Sequence, residues 1–154
     1  MTEKTLARIL ARKKLTIAVA ESCTGGLISH SLTNIPGSSA YFLLGVVAYA
    51  NEAKQKLLNV SAETIRKHGA VSKETALELA VNVKHLAGAN IGLGITGIAG
   101  PGGGEPSKPV GTVFIAASIG HNMYFKKFVF SGNRLKIKDL AKDAALKLLL
   151  TCLR

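Results

Sequence analysis

The apolar, β-branched run Thr16-Ile17-Ala18-Val19-Ala20 gives way at once to Glu21-Ser22-Cys23-Thr24-Gly25-Gly26 and then to Leu27-Ile28-Ser29-His30-Ser31-Leu32. This stretch restricts the fold more than any other. A buried strand, a polar turn with two glycines and a short helix, joined this closely, point to an alternating α/β architecture. Two roles are open to a Ser at such a junction. It can cap the helix, because Ser and Thr oxygens accept from the orphan N–H groups of a first turn. It can also be a nucleophile placed where those same donors would hold an oxyanion.

The remaining segments extend the alternation. Leu6, Ile9 and Leu10 recur at helical spacing within Glu3–Lys14, ahead of a first strand over Leu15–Ala20 and a helix over Gly25–Thr33. Asn34–Ser39 is a loop, and Tyr41–Tyr49 reads as a second buried strand, with Gly45 marking a bulge or a close approach. Asn51 is expected to cap a helix to Leu58, followed by a helix over Ser61–His68 closed by Gly69. Ser72 then caps a long helix, Lys73–Leu86, with Leu77, Ala80, Val81 and Leu86 on its inner face. A third strand spans Asn90–Thr96. Val110–Ile119 and Met123–Ser131 flank Gly120-His121-Asn122 as a hairpin, and Asn133 caps a last helix with Ile137, Leu140, Ala144 and Leu148 inward. The expected architecture is α/β: a single three-layer α/β/α domain with a mixed β-sheet over residues 1–154.

Composition narrows the class. A chain of 154 residues, 47% hydrophobic, is large enough for one real core. The N-terminus carries no apolar signal region, and the longest nearly uncharged run, about residues 40–50, is too short to cross a bilayer. Cys23 and Cys152 make neither a disulfide framework nor a zinc pattern. A cytoplasmic protein without a membrane partner is expected. The formal charge of +11, from 20 Lys+Arg against 9 Asp+Glu, favours anionic partners. Much of it clusters near the two ends, as on the solvated faces of helices. With no nucleic-acid motif present, nucleic acid is an unlikely partner.

Several motifs are eliminated on chemical grounds. Gly92-Leu93-Gly94-Ile95-Thr96-Gly97 matches the dinucleotide fingerprint in letters, but its glycines sit inside a strand and a Pro/Gly loop follows where a helix should open. There is no phosphate-loop signature. His30, His68, His85 and His121 are scattered, and Asp139 and Asp143 lie among lysines on the last helix, so a metal cluster or a Ser-His-Asp triad has little to draw on. The loop Gly97-Ile98-Ala99-Gly100-Pro101-Gly102-Gly103-Gly104 leaves the end of a strand, where open α/β sheets bind ligands, and its glycines allow close backbone approach. The remaining base for Ser22 is Lys54. If the first two strands are parallel, Ser22 and Lys54 can meet, and a buried, neutral lysine would suit acyl transfer at an ester or amide. The alternative for Lys54 is a solvated helix residue.

Taken together, Ala20–Gly26, Pro36-Gly37-Ser38-Ser39, Tyr49-Ala50-Asn51-Glu52-Ala53-Lys54, His68–Ser72, Thr96–Gly103, Lys108–Val113 and Gly132-Asn133-Arg134 resemble the CinA C-terminal-domain family, in order and over essentially the whole chain. The resemblance implies a nicotinamide-nucleotide amidohydrolase, which converts nicotinamide mononucleotide to nicotinate mononucleotide and ammonia without a cofactor or metal. It implies Ser22 as nucleophile, Lys54 as general base, and Ser39 and Tyr49 as polar residues supporting proton transfer. Thr24, Gly25, Gly97, Ile98, Ala99, Gly100 and Arg134 would bind the nucleotide. Larger members carry a further N-terminal domain, so the expected form is the stand-alone deamidase, possible as a homo-oligomer. Asn133 stands where the family often has Asp before the late arginine. Two other functions compete with this one: a basic nucleic-acid-binding module, and a catalytically silent pyridine-nucleotide sensor.

Overall fold

A computed structural model describes residues 2–153. Its elements, in chain order, are α1 (Thr2–Lys13), β1 (Ile17–Glu21), α2 (Leu27–Thr33), a 3₁₀ turn (Ser38–Ala40), β2 (Phe42–Val47), α3 (Asn51–Leu58), α4 (Ala62–His68), α5 (Lys73–Ala87), β3 (Ile91–Gly97), β4 (Thr112–Ile119), β5 (Asn122–Val129) and α6 (Arg134–Cys152). The five strands form one sheet in the order β2-β1-β3-β4-β5. β1 runs parallel to both β2 and β3, whereas β3–β4 and β4–β5 are antiparallel, so the sheet is mixed as expected. No helix among the described residues is long and apolar enough to cross a membrane.

Side-chain size sorts the two faces of the sheet. Ile17 and Val19 of β1, Leu93 and Ile95 of β3, and Val113 and Ile115 of β4 pack with Leu6 and Leu10 of α1, Ile28 and Leu32 of α2, and Ile137 and Leu149 of α6. On the opposite face Ala18 and Ala20 meet Leu79 and Val83 of α5. Ala116 meets Ala76 and Ala80 on the same side. The small residues let α5 lie very close to the sheet. A Cβ on Gly92 would stand 1.9 Å from the Ala80 carbonyl oxygen, and one on Gly94 would stand 2.4 Å from that of Ala76. This contact accounts for the first two glycines of the pattern that mimics a dinucleotide fingerprint, which receive a helix; the third, Gly97, lies instead against Thr112 and Val113 of β4.

Several expectations are corrected. β2 is an edge strand with one face exposed, because nothing pairs beyond it; its irregularity falls opposite Ile17/Ala18 and not at Gly45. Gly45 does mark a close approach, since a Cβ there would lie 2.5 Å from Ser29 Oγ. Asn51 makes no capping bond, and Ala50 occupies the N-cap of α3. On α5 the inner face is Ala76, Leu79, Ala80 and Val83; of the expected set Ala80 is fully buried, Leu77 packs half-buried, and Leu86 is exposed. On α6, Ala141 and Ala145 are fully buried, Ala144 packs half-buried against the same core, and Leu140 lies outside it. Both helices select small residues where the approach is tight.

The close packing of α5 makes a prediction. Gly92→Ala and Gly94→Ala each force a methyl against helix backbone and should lower unfolding free energy by at least ~2 kcal/mol in urea titrations. Gly102→Ala, where nothing lies within 4 Å of the added methyl, should leave the transition in place.

Candidate active site

The chain order places a crevice at one end of the sheet. From β1 the chain passes through α2 to β2 on one side, and from β2 it crosses through α3, α4 and α5 to β3 on the other. Open α/β sheets bind ligands outside the carboxyl ends of strands where such connections diverge. Here that point lies between β1 and β3, and Ser22 follows β1 directly. A pocket of about 180 Å³ opens there, lined by Ser22, Cys23, Tyr49, Asn51, Lys54, Ala70, Val71, Thr96, Gly97 and Ala99. Its volume is below the ~300–1,000 Å³ that encloses a whole drug-sized ligand. It suits the reacting end of a larger molecule whose remainder lies over the rim.

Ser22 does not cap α2. The N-cap position is Gly26, in the left-handed region, with no side-chain capping bond. The start of the helix is taken instead by Glu21, which is buried and accepts from the N–H groups of Gly26 (3.0 Å), Ile28 (3.1 Å) and Ser29 (2.8 Å) and from Ser29 Oγ (2.7 Å). An ionised carboxylate at a helix N-terminus is favoured by the helix dipole and by charge-assisted bonds. The consequence for Ser22 is freedom: it is 7% exposed, and its hydroxyl has no hydrogen-bond partner among the described residues. Its own N–H donates to the Ile95 carbonyl at 3.1 Å, tying the turn to β3. Among the described residues the N–H of Thr24 has no acceptor and that of Cys23 only its own sulfur, so these, and not the first turn of α2, are the donors available beside Ser22. The Thr24 hydroxyl is buried and likewise unpaired.

Lys54 is 1% exposed, among the most buried side chains in the protein. Its Nζ donates to the Tyr49 carbonyl at 2.9 Å. Burial pushes its pKa below the ordinary lysine value, against a smaller opposing influence of the Cys23 thiol. Burial pushes the Cys23 thiol up to about 12, which keeps it protonated and unreactive although it lines the same pocket. The solvated reading of Lys54 is therefore overturned.

The rim is basic and held by hydrogen bonds. Arg134, the first residue of α6, donates from Nη1 to the Gly100 carbonyl (2.7 Å) and from Nη2 to the Tyr49 hydroxyl (2.6 Å). Asn133 caps α6 through its Oδ1, which accepts from Lys136 N–H at 2.9 Å and so serves as a cap without an acid. Lys108, at the far end of the glycine loop, donates to the His68 carbonyl at 2.9 Å. The Thr96 hydroxyl donates to the Ala70 carbonyl at 2.8 Å and fixes that wall of the pocket.

The structure thus brings together Ser22, Lys54, Tyr49, Gly97 and Ala99, with Arg134 and Gly100 at the rim and Thr24 and Gly25 in the adjoining turn. Two expected site residues fall elsewhere. Ser39 is exposed in the 3₁₀ turn before β2, at the opposite end of the sheet from Ser22, because β1 and β2 are parallel and the turn precedes one while Ser22 follows the other. Within one chain it does not reach the pocket. Ile98 has its backbone occupied by Thr112 and Gly111 and lies outside the pocket lining. Glu21 and Asn51 were missed as site-building residues. The signal for Glu21 is an acid directly after an apolar run.

The chain matches the CinA C-terminal domain over residues 1–153. A competence-damage inducible protein of Alkaliphilus metalliredigens is 50% identical over 147 residues, 96% of this chain and 36% of that protein. One of Moorella thermoacetica is 50% identical over 152 residues, 99% of this chain and 37% of that protein. The chain therefore spans little more than a third of these relatives. Among solved structures, a CinA superfamily protein of Klebsiella pneumoniae 700603 superposes with a TM-score of 0.96 at 34% identity, covering 99% of this chain and 95% of that one. The competence/damage inducible protein CihA of Agrobacterium tumefaciens does so with a TM-score of 0.92 at 39% identity, covering 98% and 95%.

Because Glu21 holds the turn, Glu21→Ala leaves one buried and three half-buried donors without their acceptor, and an unsatisfied buried donor costs ~1–3 kcal/mol. The substitution should lower unfolding free energy by about 3–5 kcal/mol in chemical denaturation.

Proposed function

The chain belongs to the CinA C-terminal domain family, and from that premise we propose that it hydrolyses the carboxamide of nicotinamide mononucleotide to nicotinate mononucleotide and ammonia, with Ser22 as nucleophile and Lys54 as general base. The observation that carries this reading is a fully buried lysine with a lowered pKa sharing a pocket with a serine whose hydroxyl has no other partner. An amide is a poor electrophile. Its hydrolysis needs an activated nucleophile, donors for an oxyanion and a proton for the departing amine.

Each need has a candidate group. A neutral Lys54 keeps two N–H bonds and one lone pair. One N–H stays on the Tyr49 carbonyl, which leaves the lone pair to accept the Ser22 proton. As Ser22 Oγ adds to the carboxamide carbon, the N–H groups of Cys23 and Thr24 would receive the oxyanion. The protonated Lys54 then gives its proton to the amide nitrogen, the C–N bond breaks and ammonia leaves, with the acyl group esterified to Ser22. Lys54, neutral again, takes a proton from water as the water attacks the ester. Collapse of that adduct returns the proton to Ser22 Oγ and releases the carboxylate. The pocket admits a ring and its amide, and the basic rim favours a phosphorylated remainder.

Ammonia release from nicotinamide mononucleotide tests the reading. Ser22→Ala and Lys54→Met should each reduce turnover by ~10³-fold or more, while Cys23→Ala retains it. Turnover that survives Ser22→Ala removes Ser22 from the mechanism. Nucleotide bound without turnover by the unaltered chain would favour a sensor. The pH dependence follows from the direction of the lysine shift. Protonated Lys54 cannot accept a proton, so kcat/KM should rise with pH through a midpoint below the ordinary lysine range and stay level above it.

A further inference from the structure

Resting on that amidohydrolase reading, we propose that Lys138 and Arg134 together form the subsite for the substrate's phosphomonoester, with Lys138 as the specificity-determining member that the sequence does not single out. The two residues lie four apart on α6, so their side chains leave the same face about 5–6 Å apart at Cβ. Arg134 is fixed at the pocket rim by Tyr49 and Gly100, and those bonds use two of the five N–H donors of its guanidinium. Lys138 Nζ lies 3.5 Å from where a Cβ on Gly25 would stand, beside the turn that carries Ser22. Its charge is felt at the Cys23 thiol, as is that of Lys54. Neither cation lines the pocket itself: Arg134 is held at its rim through Tyr49 and Gly100, and Lys138 lies beside the turn that carries Ser22.

Neither cation has a carboxylate within salt-bridge distance among the described residues. This contrasts with Lys142 on the same helix, which pairs with Asp143 at 2.8 Å and Glu3 at 3.8 Å. Two like charges one helical turn apart repel one another, and the first turn of α6 contains no acid to offset them. A dianionic phosphate removes that repulsion and accepts from both groups. Position 25 is a glycine because of its positive φ of 62°, and a Cβ there would stand in ordinary van der Waals contact with the ammonium, which fixes how near Lys138 comes to the Ser22 turn. The small pocket and the exposed rim divide one ligand between them, with the carboxamide inside and the phosphate outside.

The test compares nicotinamide mononucleotide with nicotinamide riboside, which has the same amide and no phosphate, in the unaltered chain, Lys138→Gln and Lys138→Arg. Lys138→Gln should lower kcat/KM for the mononucleotide by about ten- to hundredfold, chiefly through KM, and leave that for the riboside unchanged. Lys138→Arg should recover most of the loss. Equal losses on both substrates would make Lys138 merely structural, and an unchanged mononucleotide rate would overturn the subsite while sparing the amidohydrolase. Should the unaltered chain turn over neither compound, the catalytic reading fails. The subsite is then judged by calorimetric binding of the mononucleotide: weakened tenfold or more by Lys138→Gln, it holds; unweakened, or with no binding to the unaltered chain, it falls.

Discussion

The carboxylate of Glu21 is the contact on which the site depends. It closes the end of β1 by taking the N–H groups at the start of α2, and it does so from within the core. Had Ser22 supplied that cap, its hydroxyl would be committed to the backbone. With the acid one residue earlier on the strand, the helix is satisfied and the serine projects at the end of the sheet without a partner. A buried anion of this kind is tolerable only because four donors meet it.

The second condition is the burial of Lys54. A lysine at the fourth position of a short helix would ordinarily reach solvent. Here α3 begins soon after β2 and packs against α5, and the Lys54 side chain enters the crevice beside Ser22 where the connections diverge. Removal from water disfavours the ammonium, and the Tyr49 carbonyl orients the nitrogen. The same residue, Tyr49, uses its hydroxyl to hold Arg134. One residue after β2 thus links the interior of the pocket to its charged rim.

Much of this was legible in the sequence because it follows from local chemistry. The apolar runs at 16–20, 41–49 and 90–96 give strands, and Ser72 and Asn133 cap the helices expected of them with side-chain bonds to their first turns. The elimination of the dinucleotide fingerprint stands, and its glycines acquire packing reasons, Gly92 and Gly94 in α5 and Gly97 in β4. What was not legible depended on tertiary placement. Helical periodicity gives an inner face only to within a rotation: Ala80 is inward as expected, whereas Ala76, Ala141 and Ala145 are also buried without having been singled out by hydrophobicity. Ser39 is near Tyr41 in sequence, but the direction of β2 carries it away from Ser22. Glu21 resembled an ordinary polar turn residue until its four donors were seen, and Lys138 was one of many lysines until Gly25 placed it.

The most direct measurement of the central claim is to find where the acyl group resides. Nicotinamide mononucleotide is mixed with the protein, the reaction is quenched in acid after a fraction of a turnover, and the digested peptides are weighed by mass spectrometry. The account predicts a nicotinoyl mononucleotide ester on the peptide containing Ser22, assigned to Ser22 by fragmentation, absent from Ser22→Ala and accumulating with the first equivalent of ammonia. An adduct on Cys23 or elsewhere, or ammonia released with no acylated peptide at any quench time, would contradict it.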